Sequence, residues 1–480
     1  MQDQTKMGTM PVKPLLIGTA LPMMISMLVQ ALYNVVDSLY VARVSQEALN
    51  AVSQAFALQT LMIGLGVGTA VGTNAMLSRH LGAGNQFEAE RSANTGLFLS
   101  ILTSIVFIAI GFIVPKYYFG AINATSFSEA AKLTDEAARL AENARIQEII
   151  DYGVDYCRIC LALSMGFFAQ STFERMLTAT GHSKLSMVCQ LSGAITNIVL
   201  DPVFIFGVKW LHIPAMAVKG AAIATVIGQW VGGGLALFFV MKKVSAVRIR
   251  VSKLRLHLPT AAMIYKIGLP SIIMQCVSSV MNFCMNLILI QFTDTATAFF
   301  GVYYKLQSFV FMPVFGLNNG MVPVISYNYG AKKPDRVWAA IKFSMLIAIG
   351  IMTAGLIAFE TIPGPLLRIF DAKPELMSMG KTGLRIIAVH FPIAGFCIVA
   401  ASVFQSVGNP THSLITSICR QLVVLLPAAW LLSFTGNVAF VWLAFPIAEI
   451  MSMIMSLFYM KKTVKHIRTS LPAEETAVVV

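Results

Sequence analysis

Three apolar segments of the chain carry oxygen-bearing side chains that hydrocarbon does not tolerate without a reason. The run LPMMISMLVQALYNVVDSLY at 21–40 holds Tyr33, Asn34 and Asp37 within about one helical turn. A second, TNIVLDP, sets Asn197 four residues before Asp201, so the two side chains share a helix face, and Pro202 follows as a point where the backbone can bend. A third, GAAIAT, ends on Thr225. A carboxylate at the centre of a bilayer costs at least about 2.5 to 3.5 kcal/mol, which makes it a functional candidate by default. Two carboxylates brought together can share a proton, and with amide and hydroxyl oxygens beside them they can coordinate Na+. The chemistry in view is reversible capture of a cation, H+ or Na+, with Asp37, Asn197 and Asp201 as the candidate Na+ ligands.

Those segments must lie in a membrane. Hydrophobic residues make up 57% of the 480, charged residues only 12%, and the mean hydropathy is +0.74. A formal charge of +13 raises the question of nucleic acid. No basic and aromatic binding module accompanies it, so no nucleic-acid partner is expected, and the charge is read as sorting loops across the bilayer. The seven cysteines fall mostly inside apolar runs, which argues against a disulfide framework. Cys157 and Cys160 form one CxxC without a second pair, too little for a metal site. No HExxH, paired metal-ligand motif or nucleophile and base constellation is present, so no enzyme and no cofactor is expected. The first apolar run is too long for a cleaved leader and is expected to stay in the membrane.

Apolar runs predict an all-α membrane protein with twelve spans, near 15–43, 51–78, 93–115, 152–177, 184–208 and 217–241, then 266–293, 296–324, 337–361, 379–406, 412–434 and 438–460. An even number places both termini on one side. Lys6, Lys13, Arg79, Arg91, Arg175, Lys184, Lys332, Lys333, Arg336, Lys461, Lys462, Lys465 and Arg468 gather there with the cluster Lys242, Lys243, Arg248, Arg250, Lys253 and Arg255. That side is therefore expected to be cytoplasmic. The halves resemble each other: LPMMISMLVQALYNVVDSL from Leu21 aligns with LPSIIMQCVSSVMNFCMNL from Leu269, matching Asn34 with Asn282. Six spans separate equivalent points, which predicts two pseudo-symmetric six-helix lobes related about the membrane normal. The division is an N-lobe at 1–241, a basic linker at 242–265, a C-lobe at 266–461 and a cytoplasmic tail at 462–480. An insertion at 116–151 reads as an extracytoplasmic surface helix with a stripe of Leu133, Ala137, Leu140 and Ala144, and Asn123-Ala-Thr125 fits a glycosylation sequon.

Depth gathers the candidates. At about 1.5 Å per residue, Asp37, Asp201 and Thr225 lie roughly 9, 10 and 12 Å below the outer ends of their spans, in one layer with Tyr33, Asn34 and Asn197. Met285 and Ala428 stand at the places equivalent to Asp37 and Asp201, so the layer belongs to one lobe. Arg158 is a cation these acids could merely neutralise, but Asp155, three residues earlier, is its expected partner. In the C-lobe, Arg420 and Glu449 sit at about 13 and 18 Å from the cytoplasmic side and are read as a structural ion pair. Lys305 and His390 are the other ionisable groups deep in that lobe. His390 is read as packing or polar lining, and with Met27, Met274 and Met281 as weaker candidates for a substrate cleft. Gly64, Gly68 and Gly72 make a small-residue face for close helix contact.

Taken together these features resemble the multidrug and toxic compound extrusion (MATE) family. The resemblance is carried by LPMMISMLVQALYNVVDSLYV, LGAGN, ATGHSKLSMVCQLSGAITNIVLDPVFIFG and GAAIATVIGQ, and the FERMLTATG wording around Glu174 is closest to the MepA-like exporters. It implies a V of two six-helix lobes and a monomer of the bacterial cytoplasmic (inner) membrane. The implied function is secondary antiport, in which multidrug efflux of amphipathic, often cationic, compounds is exchanged for H+ or Na+. It also implies a cation site at Asp37, Asn197, Asp201 and Thr225. The acidic residues that some members carry in the C-lobe are missing here. A lipid-linked oligosaccharide flippase of the same superfamily, a channel and a membrane-embedded enzyme are the rival readings.

Overall fold

Hydrocarbon offers no partner to a backbone N–H or C=O, so a chain this apolar has to close its hydrogen bonds within helices. The computed structural model describes residues 2–208, 212–244, 255–370 and 373–470. Among them the only β pairing is an isolated bridge between Val208 and Ile213. A short helix α1 (Gln2–Thr9) precedes α2 (Val12–Ala42), α3 (Gln46–Gly82), α4 (Gln86–Ala130), the pair α5 (Glu136–Ala162) and α6 (Met165–Ala179), α7 (Ser183–Ile205) and α8 (Ala217–Lys243). The second half opens with α9 (Leu258–Leu289), α10 (Asp294–Gly330), α11 (Pro334–Thr361), the short α12 (Pro363–Arg368) and the pair α13 (Pro374–Ala388) and α14 (Phe391–Ser406). It closes with α15 (Pro410–Ile418), a π-helical segment Cys419–Leu425, α16 (Leu426–Ser433), the one-turn α17 (Val438–Val441) and α18 (Ala444–Ser470).

Ten of the described helices are long and apolar enough to cross a membrane, eleven with α13 and α14 taken as one span bent by 49°. The twelfth pass is the broken α5–α6 pair. Both halves bury aromatic side chains, and Leu15, Leu16 and Ala20 of α2 pack into the core of the second. Phe107, Phe119, Tyr156 and Phe168 are buried in the first, and Phe299, Tyr303, Phe391, Phe404 and Trp442 in the second. Lys242 and Lys243 end α8 and Arg255 precedes α9, whereas Arg248, Arg250 and Lys253 of the basic cluster, and the tail from 471, lie outside the described residues.

The insertion departs from expectation. No separate surface helix forms; instead α4 runs on past Pro115 to Ala130 and α5 begins at Glu136, so the third and fourth passes extend as one helical hairpin. Leu133 and Leu140 of the expected stripe are exposed, and the buried face is Ile146, Ile149, Ile150 and Gly153. The hairpin is tied to α3. Arg145 Nε donates to Glu47 Oε1 at 2.9 Å, and Asn123 and Gln54 exchange amide hydrogen bonds of 3.0 and 3.3 Å. Asn123 is 4% exposed, so the sequon is closed to a glycosyltransferase in the folded protein.

The lobes meet along α2 with α10 and α3 with α9. Glycines make that seam, with the expected face of Gly64, Gly68 and Gly72 at its centre. A Cβ on Gly72 would overlap the Ile264 carbonyl oxygen, one on Gly68 would press on the Gly268 carbonyl, and Gly316 and Gly320 lie against the α2 backbone at Met24 and Ala20. All of these contacts lie in the halves of the helices nearest the termini. There α1 also crosses to the second lobe, where Arg336 Nη2 donates to the Met7 and Met10 carbonyls at 3.0 and 2.7 Å and Lys333 Nζ to Gly8 at 3.1 Å. Cations at the carbonyl end of a helix complement its dipole. Tyr329 and His466 hydroxyl and ring, 3.3 Å apart, place the C-terminal end of α18 on the same side. Toward the opposite side no described glycine of one lobe lies against the backbone of the other. Replacing Gly72 by Ala should lower the thermal stability of the detergent-solubilised protein by about 1 to 3 kcal/mol through overpacking. Gly234→Ala, where a Cβ meets nothing within 4 Å, should leave the melting temperature unchanged or slightly raised. Equal melting of the two variants would contradict the seam.

Candidate functional site

Close approach of α7 and α8 sets up the first lobe's polar site. Gly193 and Gly228 face each other; a Cβ on Gly228 would stand 2.6 Å from the Gly193 carbonyl oxygen and 3.2 Å from Asn197 Cβ. With no side chain on either, the helices come near enough for Asn197 Nδ2 to donate to Thr225 Oγ1 at 3.1 Å. One turn on, Asp201 is fully buried, Asn197 2% and Thr225 7% exposed. From the other side α2 packs on α7 and supplies Tyr33 and Asp37. The Asp37 and Asp201 carboxyl groups neighbour each other, and the Tyr33 hydroxyl lies beside Thr225.

What the site lacks is donors. Neither Asp201 oxygen, nor Asp37 Oδ1, nor Asn197 Oδ1, has a hydrogen-bond partner among the described residues. Two neighbouring carboxylates are acceptors only, so nothing joins them until a cation arrives: a proton on one makes it a donor to the other, and Na+ would take oxygens from both. The donor set of two carboxylates, an amide oxygen and hydroxyls is all oxygen, which suits a hard monovalent ion. Among the described residues no three His, Cys, Asp or Glu side chains gather as a metal centre.

Five of the six residues expected in this layer come together: Tyr33, Asp37, Asn197, Asp201 and Thr225. Asn34 does not; it is exposed, and its amide oxygen accepts from Gln30 at 3.5 Å on the accessible face of α2. Three neighbours went unread in the sequence. Gln59 of α3 donates to the Tyr156 hydroxyl at 3.3 Å, and Tyr156 and Cys160 of α5 border Asp37. Their signal was the four-residue spacing of Tyr156 and Cys160 inside an apolar run, a spacing that the CxxC pattern obscured.

Other candidates are placed differently. Asp155 pairs with Lys219 of α8 at 3.0 Å rather than with Arg158. His390 is 4% exposed at the bend between α13 and α14, packed on Phe311, Phe391 and Phe445, and Met281 is 5% exposed. Both are core residues and do not line a cleft. Met27 and Met274 keep partial exposure, and Met274 Sδ receives Gln405 Nε2 at 4.0 Å. Lys305 is exposed, with its ammonium 6.0 Å from the Phe370 ring centroid, and is not deep in the lobe. Arg420 and Glu449 form the expected pair, with Nη1 3.3 and 3.5 Å from the two carboxylate oxygens. Glu174 accepts from Gln170 at 2.8 Å, while Arg175 beside it reaches across the seam to Asn319 at 2.8 Å.

The shortage of donors has a measurable consequence. Asp201→Asn brings an NH2 group to the orphaned acceptors and should raise stability by about 1 to 2 kcal/mol at neutral pH. A variant that melts no higher than the parent would mean that these oxygens are not short of donors.

The comparisons with known proteins agree with this architecture. A family profile described as MatE matches residues 22–203 and 270–431, one stretch in each half. The chain is 23% identical over 456 residues to a protein of Shewanella oneidensis named FAD transporter, covering 94% of this chain and 95% of that one. It is 24% identical over 446 residues to the multidrug export protein MepA of Staphylococcus haemolyticus, covering 92% and 91%. A solved multidrug resistance MATE family transporter of the MOP superfamily, in an outward-facing conformation, superposes with a TM-score of 0.85 at 22% identity, covering 95% of this chain and 97% of that one. With both halves matched, the chain belongs to the MatE family of multi-pass membrane transporters and is not an enzyme.

Proposed function

We propose that this transporter is a cation-coupled exporter of amphipathic, often cationic, compounds, working as a monomer in the bacterial cytoplasmic membrane with both termini in the cytoplasm. The observation that carries the reading is the pair of half-buried Asp37 and fully buried Asp201, where Asp37 Oδ1 and both Asp201 oxygens have no donor among the described residues. Burying two neighbouring charges is unfavourable, so the site gains most from whatever cation it captures. Capture draws α2 and α7 together. Both helices contain a proline, Pro22 and Pro202, where the hydrogen-bond ladder is already interrupted.

A change at the pair is therefore passed to α2, the helix that also forms the seam with α10. Alternating access follows if the cation-loaded and empty sites favour different settings of that seam. The seam is closed on the side of the termini, and the V opens away from them. The positive charge of the terminal side supports a cytoplasmic placement and hence an outward-open state. The compound would leave through the open V while H+ or Na+ enters by the same route.

Cells expressing Asp37→Asn or Asp201→Asn should export a fluorescent cationic dye at least about tenfold more slowly than the parent at equal membrane abundance, because each variant loses one of the two carboxylates that together capture the cation. Full export by both would remove the mechanism. In membrane vesicles, an imposed pH gradient and an imposed Na+ gradient applied separately should give dye movement with one and not the other, which names the coupling ion. Movement with neither would remove the coupling.

A further inference from the structure

The second lobe has no acidic layer, yet it holds one charged side chain in an unusual position. Arg420 lies ten residues after Pro410 and thirteen before Ser433, the middle of its span, and Glu449 is similarly central in the span Val438–Ile467. Arg420 is the second residue of the π-helical segment Cys419–Leu425. π-Turns inside α-helices are rare and gather at functional sites, because the extra residue per turn re-aims a side chain.

A purely structural ion pair in a membrane would close the guanidinium fork on the carboxylate with two nitrogens and seal both groups. This one does neither. Only Nη1 reaches Glu449, at 3.3 and 3.5 Å, and the Arg420 side chain remains 26% exposed against 5% for Glu449. Among the described residues Nε and Nη2 have no acceptor. They are absent from the sealed, unpartnered polar atoms, so they open on accessible space. Guanidinium N–H groups at mid-membrane depth cannot face hydrocarbon, so that space is the wet interior of the lobe. The π segment packs on α9, the helix that meets the first lobe across the seam, and on α18. Tyr304 lies near both Arg420 and Asn282 of α9, and among the described residues the Tyr303 hydroxyl has no partner.

We propose that Arg420 is an anion-recognition site of the second lobe, taking the carboxylate or phosphate group of a transported amphipathic compound on its free Nε and Nη2 edge. Glu449 holds the guanidinium in place from behind and keeps the site neutral while it is empty. Tyr304 and Asn282 supply hydrogen bonds at the rim. The proposal rests on the reading that the space between the lobes is the substrate path. Together the two lobes would then offer opposite polarities, carboxylates in the first and a guanidinium in the second.

The test is equilibrium dialysis of the purified full-length protein in detergent against FMN, riboflavin and ethidium. FMN and riboflavin share a ring system and differ by one phosphate; the flavin ring is chosen because a relative is named an FAD transporter. The parent should bind FMN about tenfold or more tighter than riboflavin. Arg420→Gln should erase that difference, Arg420→Lys should keep part of it, and Glu449→Gln should bind FMN more tightly than the parent. Ethidium binding should persist in Arg420→Gln, which also reports folding. If Arg420→Gln loses all three ligands, the Glu449→Gln result decides, and weaker FMN binding there overturns the proposal. FMN bound no tighter than riboflavin by the parent, or an Arg420→Gln variant that keeps the difference, overturns it too. Absence of ethidium binding to the parent would count against the exporter reading and leave the FMN comparison standing.

Discussion

The structure turns on the scarcity of hydrogen-bond donors at one point in a medium that supplies none. Around Asp37 and Asp201 the Asn197 amide donates to Thr225, and among the described residues Asn197 Oδ1, Asp37 Oδ1 and both Asp201 oxygens are left without a partner. In water such a cluster would be unremarkable. Between helices it is an unfinished network, and unfinished buried networks are costly. The close Gly193 and Gly228 contact that brings α7 and α8 together has the effect of maintaining it.

The duplication makes the cost easier to see. Both halves start with Leu-Pro and keep an asparagine at equivalent places, Asn34 and Asn282, so the shared fold needs neither Asp37 nor Asp201. Met285, where the second half would have its acid, is fully buried in the core of that lobe. One copy of the repeat was therefore free to pack, and the other to hold charge. A symmetric scaffold with an asymmetric interior leaves the two lobes chemically different while they share one seam.

Much of this was legible in the chain. Span positions and the glycine face of α3 followed from apolar runs and four-residue spacing, and depth alone selected Asp37, Asn197, Asp201 and Thr225. Depth does not give direction around the helix. Tyr33 and Asp37, four residues apart, share a face, whereas Asn34 is turned by about 100° from Tyr33 and leaves the site. The same gap hid Tyr156 and Cys160, which come from a helix whose outer half is charged and whose spacing invited a metal reading. Pro115 was taken as the end of a span, but a proline removes only one hydrogen bond, and the helix continues to Ala130. His390 was legible as buried but not as the residue at a bend, because the 49° break comes from how α13 and α14 pack on their neighbours.

The helical hairpin of α4 and α5 has a further bearing. At 45 residues α4 is about 67 Å long, more than twice the roughly 30 Å of hydrocarbon it crosses, so a long stretch stands clear of the membrane. Its far end is tied to α3 of the first lobe, through Asn123 of α4 to Gln54 and through Arg145 of α5 to Glu47. A rotation of that lobe by a few degrees sweeps the tip through several times the displacement felt at the seam. The chain thus carries a pointer on the face opposite its termini, and the angle of one lobe can be watched there without touching the interior.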